Sequence, residues 1–114
     1  MMQSTDVVVA GHICLDLIPD LSTIREMDME TLMLPGHLSE IGTMRLSTGG
    51  AVPNLGLGLG RLGIPTHLIA KVGADPLGDL VSRILSSHQS GAADRLLVDE
   101  GIGTSYTVLS LIHI

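Results

Sequence analysis

Two adjacent glycines and an asparagine four residues later have the spacing of a site for a polar ligand. Gly49 and Gly50 follow a strand-like stretch and precede a stretch with helical spacing, and Asn54 lies one turn into it. Backbone N–H groups have no intrahelical partner at the start of a helix, and an asparagine side chain offers a donor as well as acceptors. The pattern therefore predicts a polar ligand at this strand-to-helix junction.

A second glycine pattern, GLGRLG from Gly58 to Gly63, fits the G-x-G-x-x-G sequence of dinucleotide-binding proteins. That fingerprint needs its first glycine directly after a strand, whereas the leucines from Asn54 to Leu62 have helical spacing. An interior helical glycine costs up to about 1 kcal/mol relative to alanine. We interpret Gly56, Gly58 and Gly60 as packing positions that let a helix lie close to a sheet. A dinucleotide-binding oxidoreductase is the less favoured alternative.

The elements around these residues indicate an α/β protein with additional strands. The run VVVA is continuous and apolar, which is typical of a strand covered on both faces. Strands are predicted over Val7 to Ala10, Ile13 to Ile18, His67 to Val72, Leu96 to Asp99, and from Thr104 onward. The loose alternation from His37 to Ser47 predicts two short strands with a bend at Gly42. Helices are predicted around Met29 to Leu34, over Asn54 to Leu62, and after Asp75, which is an N-cap with Pro76 at the first helical position.

Composition excludes several classes of function. The net charge is −6 and the chain has one tyrosine, no phenylalanine and no tryptophan, so it lacks the basic patch and aromatic platforms of nucleic-acid binding. Cys14 is the single cysteine, which rules out an internal disulfide, and the five histidines show no metal-ligand spacing. No apolar run approaches the ~20 residues that span a bilayer, and the N-terminus does not resemble a signal peptide. We expect a cytoplasmic protein with no nucleic-acid, membrane or metal site.

The stretch TGGAVPNLGLGLGRLGIPTHLIAKVGADPLGD resembles the first signature of the ribokinase-like (PfkB-type) carbohydrate kinases. VVVAGHICLDLIP and GTSYTVLSL likewise resemble the family's first strands and a lid strand. The signature elements here are Gly49-Gly50, Asn54, a small-residue helix, and a G-x-D-x-x-G element of Gly73, Asp75 and Gly78. The resemblance implies a ribokinase-like three-layer α/β sandwich with a small β-sheet lid. Residues 1–114 would be the N-terminal portion of one sugar-kinase domain, with lid strands at about 13–18, 37–47 and 105–111.

The resemblance also implies a sugar site. Its residues would be Asp16, Gly49, Gly50, Ala51 and Asn54. Asp16 matches the aspartate that holds sugar hydroxyls, and a hydrogen bond to a charged group contributes about 1.5–3 kcal/mol. The alternatives are an aspartate that merely faces water and, for Asn54, a residue that caps its own helix.

By the same resemblance, the parent protein would use ATP and Mg²⁺ to phosphorylate a hydroxyl of a sugar or sugar-like substrate, and it would form a homodimer through the lid. Family members carry a later G-A-G-D-type motif that supplies the catalytic base beside the nucleotide site. No such motif occurs between Met1 and Ile114. We therefore expect the base beyond Ile114, the C-terminal catalytic and nucleotide-binding half to be absent, and residues 1–114 alone to be inactive. A non-catalytic sugar-binding or assembly module on the same fold is the alternative.

Overall fold

Two separate three-stranded sheets organise the chain. The computed structural model describes residues 6–22, 30, 32 and 34–109. The elements are β1 (Val7–Ala10), β2 (Cys14–Pro19), β3 (Met44–Gly49), α1 (Ala51–Arg61), β4 (Thr66–Gly73), α2 (Pro76–His88), β5 (Leu96–Asp99) and β6 (Tyr106–Val108). The core sheet has the order β1-β4-β5, and the lid sheet has the order β3-β2-β6. The ribokinase-like α/β prediction agrees with this arrangement of elements.

The core sheet is parallel throughout and carries the hydrophobic core. Val9 lies beside Leu68, and both pack with buried residues of the two helices. The opposite face is open, since Val8 is 45% exposed and Leu97 is 54% exposed. Within the described residues VVVA is thus covered on one face, by the two helices. Both β–α–β connections of a parallel sheet cross over with the same hand, which puts α1 and α2 on one side.

The lid sheet mixes the two strand directions. β2 is antiparallel to β3 and parallel to β6, so β2 is the central strand. Asp16 lies opposite Ser47 on one side and Thr107 on the other, so these three side chains share a face. The reverse face carries Leu17 between Leu46 and Val108.

The strands of the lid sheet have different bounds from those predicted. A strand over 37–43 is wrong, because β3 begins only at Met44. The N–H of Asp20 donates to the Thr43 carbonyl, and the N–H of Gly42 donates to the Asp20 carbonyl, so this segment turns back on the end of β2. Leu38 is 96% exposed and has no core to pack against.

Two predictions fall partly or largely outside the described residues. The last lid strand is observed over Tyr106–Val108, whereas 110–111 are not described. The short helix predicted around Met29 to Leu34 lies largely among residues that are not described. None of the helices within the described part has the length and hydropathy that a membrane span requires.

Candidate functional site

The carboxylate of Asp16 lies against the backbone of Gly49. Asp16 is half-buried in the central strand of the lid sheet, and Gly49 is the buried last residue of β3. A Cβ atom built on Gly49 would lie 2.6 Å from Oδ2 and 2.9 Å from Oδ1 of Asp16. Real Cβ atoms do not approach a neighbour so closely, so any side chain at position 49 would displace the carboxylate. The glycine therefore holds open the space that Asp16 occupies.

Cys14 is a direct neighbour of this carboxylate, a contact that sequence reasoning missed. Its thiol donates to Oδ1 of Asp16 over 3.4 Å, and the hydroxyl of Thr107 donates to its sulfur over 4.0 Å. Burial raises the pKa of the Cys14 thiol, and the adjacent Asp16 raises that pKa further. The thiol therefore stays protonated at neutral pH and acts as a weak donor to Asp16. Residues i and i+2 of a strand share a face, which is the signal that could have found the pair.

Gly50 is required by the backbone at the junction between β3 and α1. Its φ of 97° lies in the region that favours glycine, and it is the N-cap of α1. A Cβ atom there would lie 2.8 Å from the carbonyl oxygen of His12. That carbonyl accepts a hydrogen bond from the N–H of Val52 over 3.2 Å. The chain entering β2 is thus fastened to the first turn of α1, beside Asp16.

Ala51 and Asn54 are exposed on the first turn of α1. The helix begins at Ala51, three residues before the predicted start, and the backbone N–H of Asn54 donates to the Gly50 carbonyl over 3.3 Å. No side chain makes a capping hydrogen bond at this end of α1. The alternative that Asn54 caps its own helix is therefore wrong. The structure brings Asp16, Gly49 and Gly50 together, with Ala51 and Asn54 on the adjoining turn.

The GLGRLG segment is helical and does not form a strand-to-helix loop. Gly58 and Gly60 lie inside α1, and Gly63 follows its end with a φ of 81°. No strand directly precedes Gly58, because the helix already begins at Ala51, so the dinucleotide-binding interpretation is wrong. Gly56 does serve packing, because a Cβ atom there would collide with the Leu68 side chain. The side chain of Gln89 covers Gly60 in the same way.

Gly58 departs from the packing interpretation. Nothing lies within 4 Å of a Cβ atom built on it, so close approach does not explain this glycine in the described structure. The interpretation is correct for Gly56 and wrong for Gly58. Helical spacing alone cannot separate the two, since it says nothing about which neighbour faces each position.

Asp75 does more than cap α2. Its carboxylate accepts from the N–H of Gly78 over 2.8 Å, as predicted for an N-cap. It also accepts from both the N–H and the hydroxyl of Thr104, over 2.9 and 2.6 Å. The hydroxyl of Thr104 chiefly lowers the pKa of Asp75, with the N–H groups of Thr104 and Gly78 adding to it. The partner is 29 residues away in sequence, so local patterns gave no sign of it.

Most of the chain matches one family of known proteins. Residues 4–104 match the pattern of the pfkB family carbohydrate kinases. The chain belongs to that family. A nucleoside kinase of Methanothermobacter thermautotrophicus is 30% identical over 114 residues, which covers 99% of this chain and 34% of the relative.

Solved structures of family members agree in fold. A sugar kinase from Pyrococcus horikoshii superposes with a TM-score of 0.63 at 28% identity, over 92% of this chain and 30% of that one. A ribokinase from Arabidopsis thaliana, complexed with ribose and ATP, superposes with a TM-score of 0.72 over 96% of this chain and 33% of that one. Its identity is 21%, so it supports the fold alone. The chain spans about a third of the length of these relatives.

The described residues contain no group of three or more His, Cys, Asp or Glu side chains placed to hold a metal ion. No catalytic step through a metal is assigned to these residues.

Proposed function

We propose that this chain forms the substrate-binding part of an ATP-dependent kinase that phosphorylates a hydroxyl group of a sugar or sugar-like molecule. The observation that carries the proposal is the Asp16 carboxylate, held in the centre of the lid sheet over a glycine and next to the start of α1. A carboxylate in this position accepts hydrogen bonds from neighbouring hydroxyl groups. Membership of a carbohydrate kinase family supports the same substrate class.

Each residue of the proposed site has a chemical role. Asp16 accepts from sugar hydroxyls, and Cys14 steadies one of its oxygens. Gly49 leaves room for the Asp16 carboxylate, and Gly50 forms the turn that brings the start of α1 beside it. Among the exposed residues of the first turn, Ala51 offers a small contact surface and Asn54 offers an amide that both donates and accepts.

The phosphoryl donor is proposed to be ATP with Mg²⁺. A fructokinase from Xylella fastidiosa has been solved with bound ATP, and the Arabidopsis ribokinase with ribose and ATP. Phosphoryl transfer depends on positioning and on a metal that offsets phosphate charge. We assign the ATP site and the catalytic base to the part of the relatives that this chain does not cover. A positioned base typically contributes 10²–10⁴ in rate, so the chain alone should not catalyse transfer.

A homodimer through the lid sheet is the second part of the proposal. On the face opposite Asp16, Leu46 is 37% exposed and Val108 is 61% exposed. Both lie beside Leu17 in the sheet register, so they form one apolar strip. A second copy of the chain would cover this strip. Sedimentation of wild type and Val108→Asp is the check: a dimer that becomes monomeric agrees, and a wild-type monomer at high concentration contradicts it.

The kinase assignment is tested with a chimera in which this chain replaces the aligned third of the Methanothermobacter nucleoside kinase. ATP-dependent phosphorylation of ribose, fructose and adenosine is measured. We expect one of them to be phosphorylated, activity to fall in the Asp16→Ala chimera, and activity to persist in Asp79→Ala, an exposed aspartate in the first turn of α2. A folded chimera that binds sugar but phosphorylates none of the three would favour the non-catalytic module.

A further inference from the structure

The G-x-D-x-x-G element lies where the core sheet, α2 and the lid sheet meet. Gly73 ends β4, Asp75 caps α2, and Gly78 lies in the first turn of that helix. Thr104 is buried at 6% exposure, and β6 of the lid sheet begins two residues after it. The proposed sugar site uses none of these four residues. Their geometry therefore needs its own explanation.

A closed set of hydrogen bonds joins the three elements. The hydroxyl of Thr104 accepts from the N–H of Gly73 over 2.9 Å and donates to Oδ1 of Asp75 over 2.6 Å. Oδ2 of Asp75 accepts from the N–H of Thr104 over 2.9 Å, while Oδ1 also accepts from the N–H of Gly78. One carboxylate and one hydroxyl thus fasten the end of β4, the start of α2 and the segment leading into β6. We call this set the Asp75–Thr104 latch.

Both glycines are needed for the latch to close. A Cβ atom on Gly73 would lie 2.7 Å from Oδ2 of Asp75 and 2.9 Å from the Thr104 nitrogen. A Cβ atom on Gly78 would collide with the Gly73 carbonyl and lie 3.1 Å from the Thr104 hydroxyl. Glycine therefore occupies positions 73 and 78 of the G-x-D-x-x-G element because a side chain at either position would crowd the Asp75 carboxylate or the Thr104 hydroxyl.

β6 depends on this anchor more than its neighbours do. It has three residues, all exposed, and within the described part of the chain it pairs with β2 alone. β3, the other edge strand of the lid sheet, pairs with β2 over six residues and continues directly into α1. Short, exposed strands with few contacts open easily. Thr107 of β6 lies directly beside Asp16, so movement of β6 disturbs the surroundings of the carboxylate.

We infer that Asp75 is a positioning residue for the sugar site: through Thr104 it latches β6 to the core and so fixes the lid sheet beside Asp16. The role in sugar binding depends on the function proposed above, whereas the latching of β6 does not. Asp75 touches no proposed substrate position, and its effect on the site passes through Thr104 and β6, apart from its capping of α2.

The variants separate latching from helix capping. Asn and Asp are equally good N-caps, so Asp75→Asn can still accept from the N–H of Gly78. Its amide NH₂ group cannot accept from the N–H of Thr104, so the latch loses a bond. Thr104→Val removes the hydroxyl, and Thr104→Ser restores it as the conservative rescue. Asp79→Asn, in the same helical turn, is the matched control.

Hydrogen exchange of the backbone amides in the full chain measures how firmly the latch holds β6. We expect Asp75→Asn and Thr104→Val to speed exchange of the β6 amides at least tenfold more than exchange of the α2 amides. Thr104→Ser and Asp79→Asn should leave that ratio within about twofold of wild type. Equal acceleration of amide exchange in β6 and α2 would overturn the latch, because Asp75 would then act only as the cap of α2. Unchanged exchange in both elements would also overturn it, because the hydrogen bonds of Asp75 would then hold neither element.

The affinity of the same proteins for ribose, measured by calorimetry, tests the positioning role of Asp75. We expect Asp75→Asn to weaken ribose binding at least fivefold, with Thr104→Ser close to wild type. Unchanged affinity in a variant whose β6 amides exchange faster would overturn positioning. Failure of the unmodified chain to bind ribose would count against the proposed substrate class, and the exchange comparison would still decide the latch.

Discussion

The core sheet and the lid sheet differ in how far their apolar side chains are buried. In the core sheet, Leu68, Ala70 and Val72 alternate along β4 and are at most 4% exposed. In the lid sheet, Tyr106 and Val108 alternate along β6 and are 59% and 61% exposed. The first arrangement stabilises the fold by burial, whereas β6 leaves its apolar side chains exposed. The proposed substrate site and most of the buried apolar area thus lie in different layers, joined by the His12–Val52 bond and the Asp75–Thr104 latch.

The two sheets also use glycine differently. In the core layer, Gly56 lets α1 lie against Leu68, so the missing side chain serves packing. At the edge of the lid sheet, Gly49 leaves room for a charged group, so the missing side chain serves the site. Substitutions in the core should therefore change the free energy of unfolding, and substitutions beside the lid should change ligand binding.

The largest expected effect tests this division in the core. Leu85→Ala removes a fully buried side chain of α2 and should destabilise the chain by about 2–5 kcal/mol. Val108→Ala, on the exposed lid face, should change stability by less than about 0.5 kcal/mol. Urea unfolding followed by circular dichroism measures both. Similar losses for the two variants would show that the lid sheet carries as much of the stability as the core.

The next effect concerns substrate. In the chimeric kinase, Asp16→Ala should lower kcat/KM. The loss corresponds to about 1.5–3 kcal/mol of transition-state stabilisation for each charged hydrogen bond removed, and the free energy of unfolding should change little. Asp79→Ala supplies the control, since only its interaction with the helix dipole, about 0.3–1 kcal/mol of stability, is removed. A kcat/KM value of Asp16→Ala within threefold of wild type would show that Asp16 is not part of the site.

A matched pair of glycine substitutions comes third. Gly56→Ala forces a methyl group into the Leu68 side chain, and overpacking of this kind costs about 1–3 kcal/mol. Gly58→Ala meets nothing within 4 Å and should stabilise α1 by up to about 1 kcal/mol. Thermal unfolding of the two variants should therefore move in opposite directions. Destabilisation by both would mean that Gly58 has a packing neighbour after all.

The smallest expected effect is a loss of folding stability at acidic pH. Hydrogen bonds lower the pKa of Asp75, chiefly through Thr104, and that of Asp20, chiefly through Ser22. A carboxyl group whose folded pKa lies below its unfolded value of about 3.9 stabilises the fold above that pH. This stabilisation disappears as the pH falls below about 4 and through the lowered pKa. Urea midpoints at pH 7, 4 and 3 should therefore fall less steeply for Asp75→Asn than for wild type, and parallel slopes would contradict the pKa shift.

Local signals in the sequence were sufficient for most of the core layer. The apolar runs VVVA and HLIAKV predicted β1 and β4, and the Asp75-Pro76 pair predicted the start of α2. These elements are specified by neighbouring residues, through burial of continuous apolar runs and by capping. The signature from Gly49 to Asp79 also indicated the family from its residues alone. Prediction failed at 37–43, where alternating residues turn back on β2 and form no strand.

The sequence by itself determined the fold class, the family and the candidate residues Asp16, Gly49, Gly50 and Asn54, because each belongs to a pattern of nearby positions. The tertiary structure alone decided which of these residues meet and what they touch. It brought Asp16 against Gly49, which is 33 positions later in the numbering, and Thr104 against Asp75, 29 positions earlier. It also separated Gly56 from Gly58, which share a helix but not a neighbour. Contacts between distant residues depend on strand register and on how the two sheets are joined, and neither is encoded in local spacing.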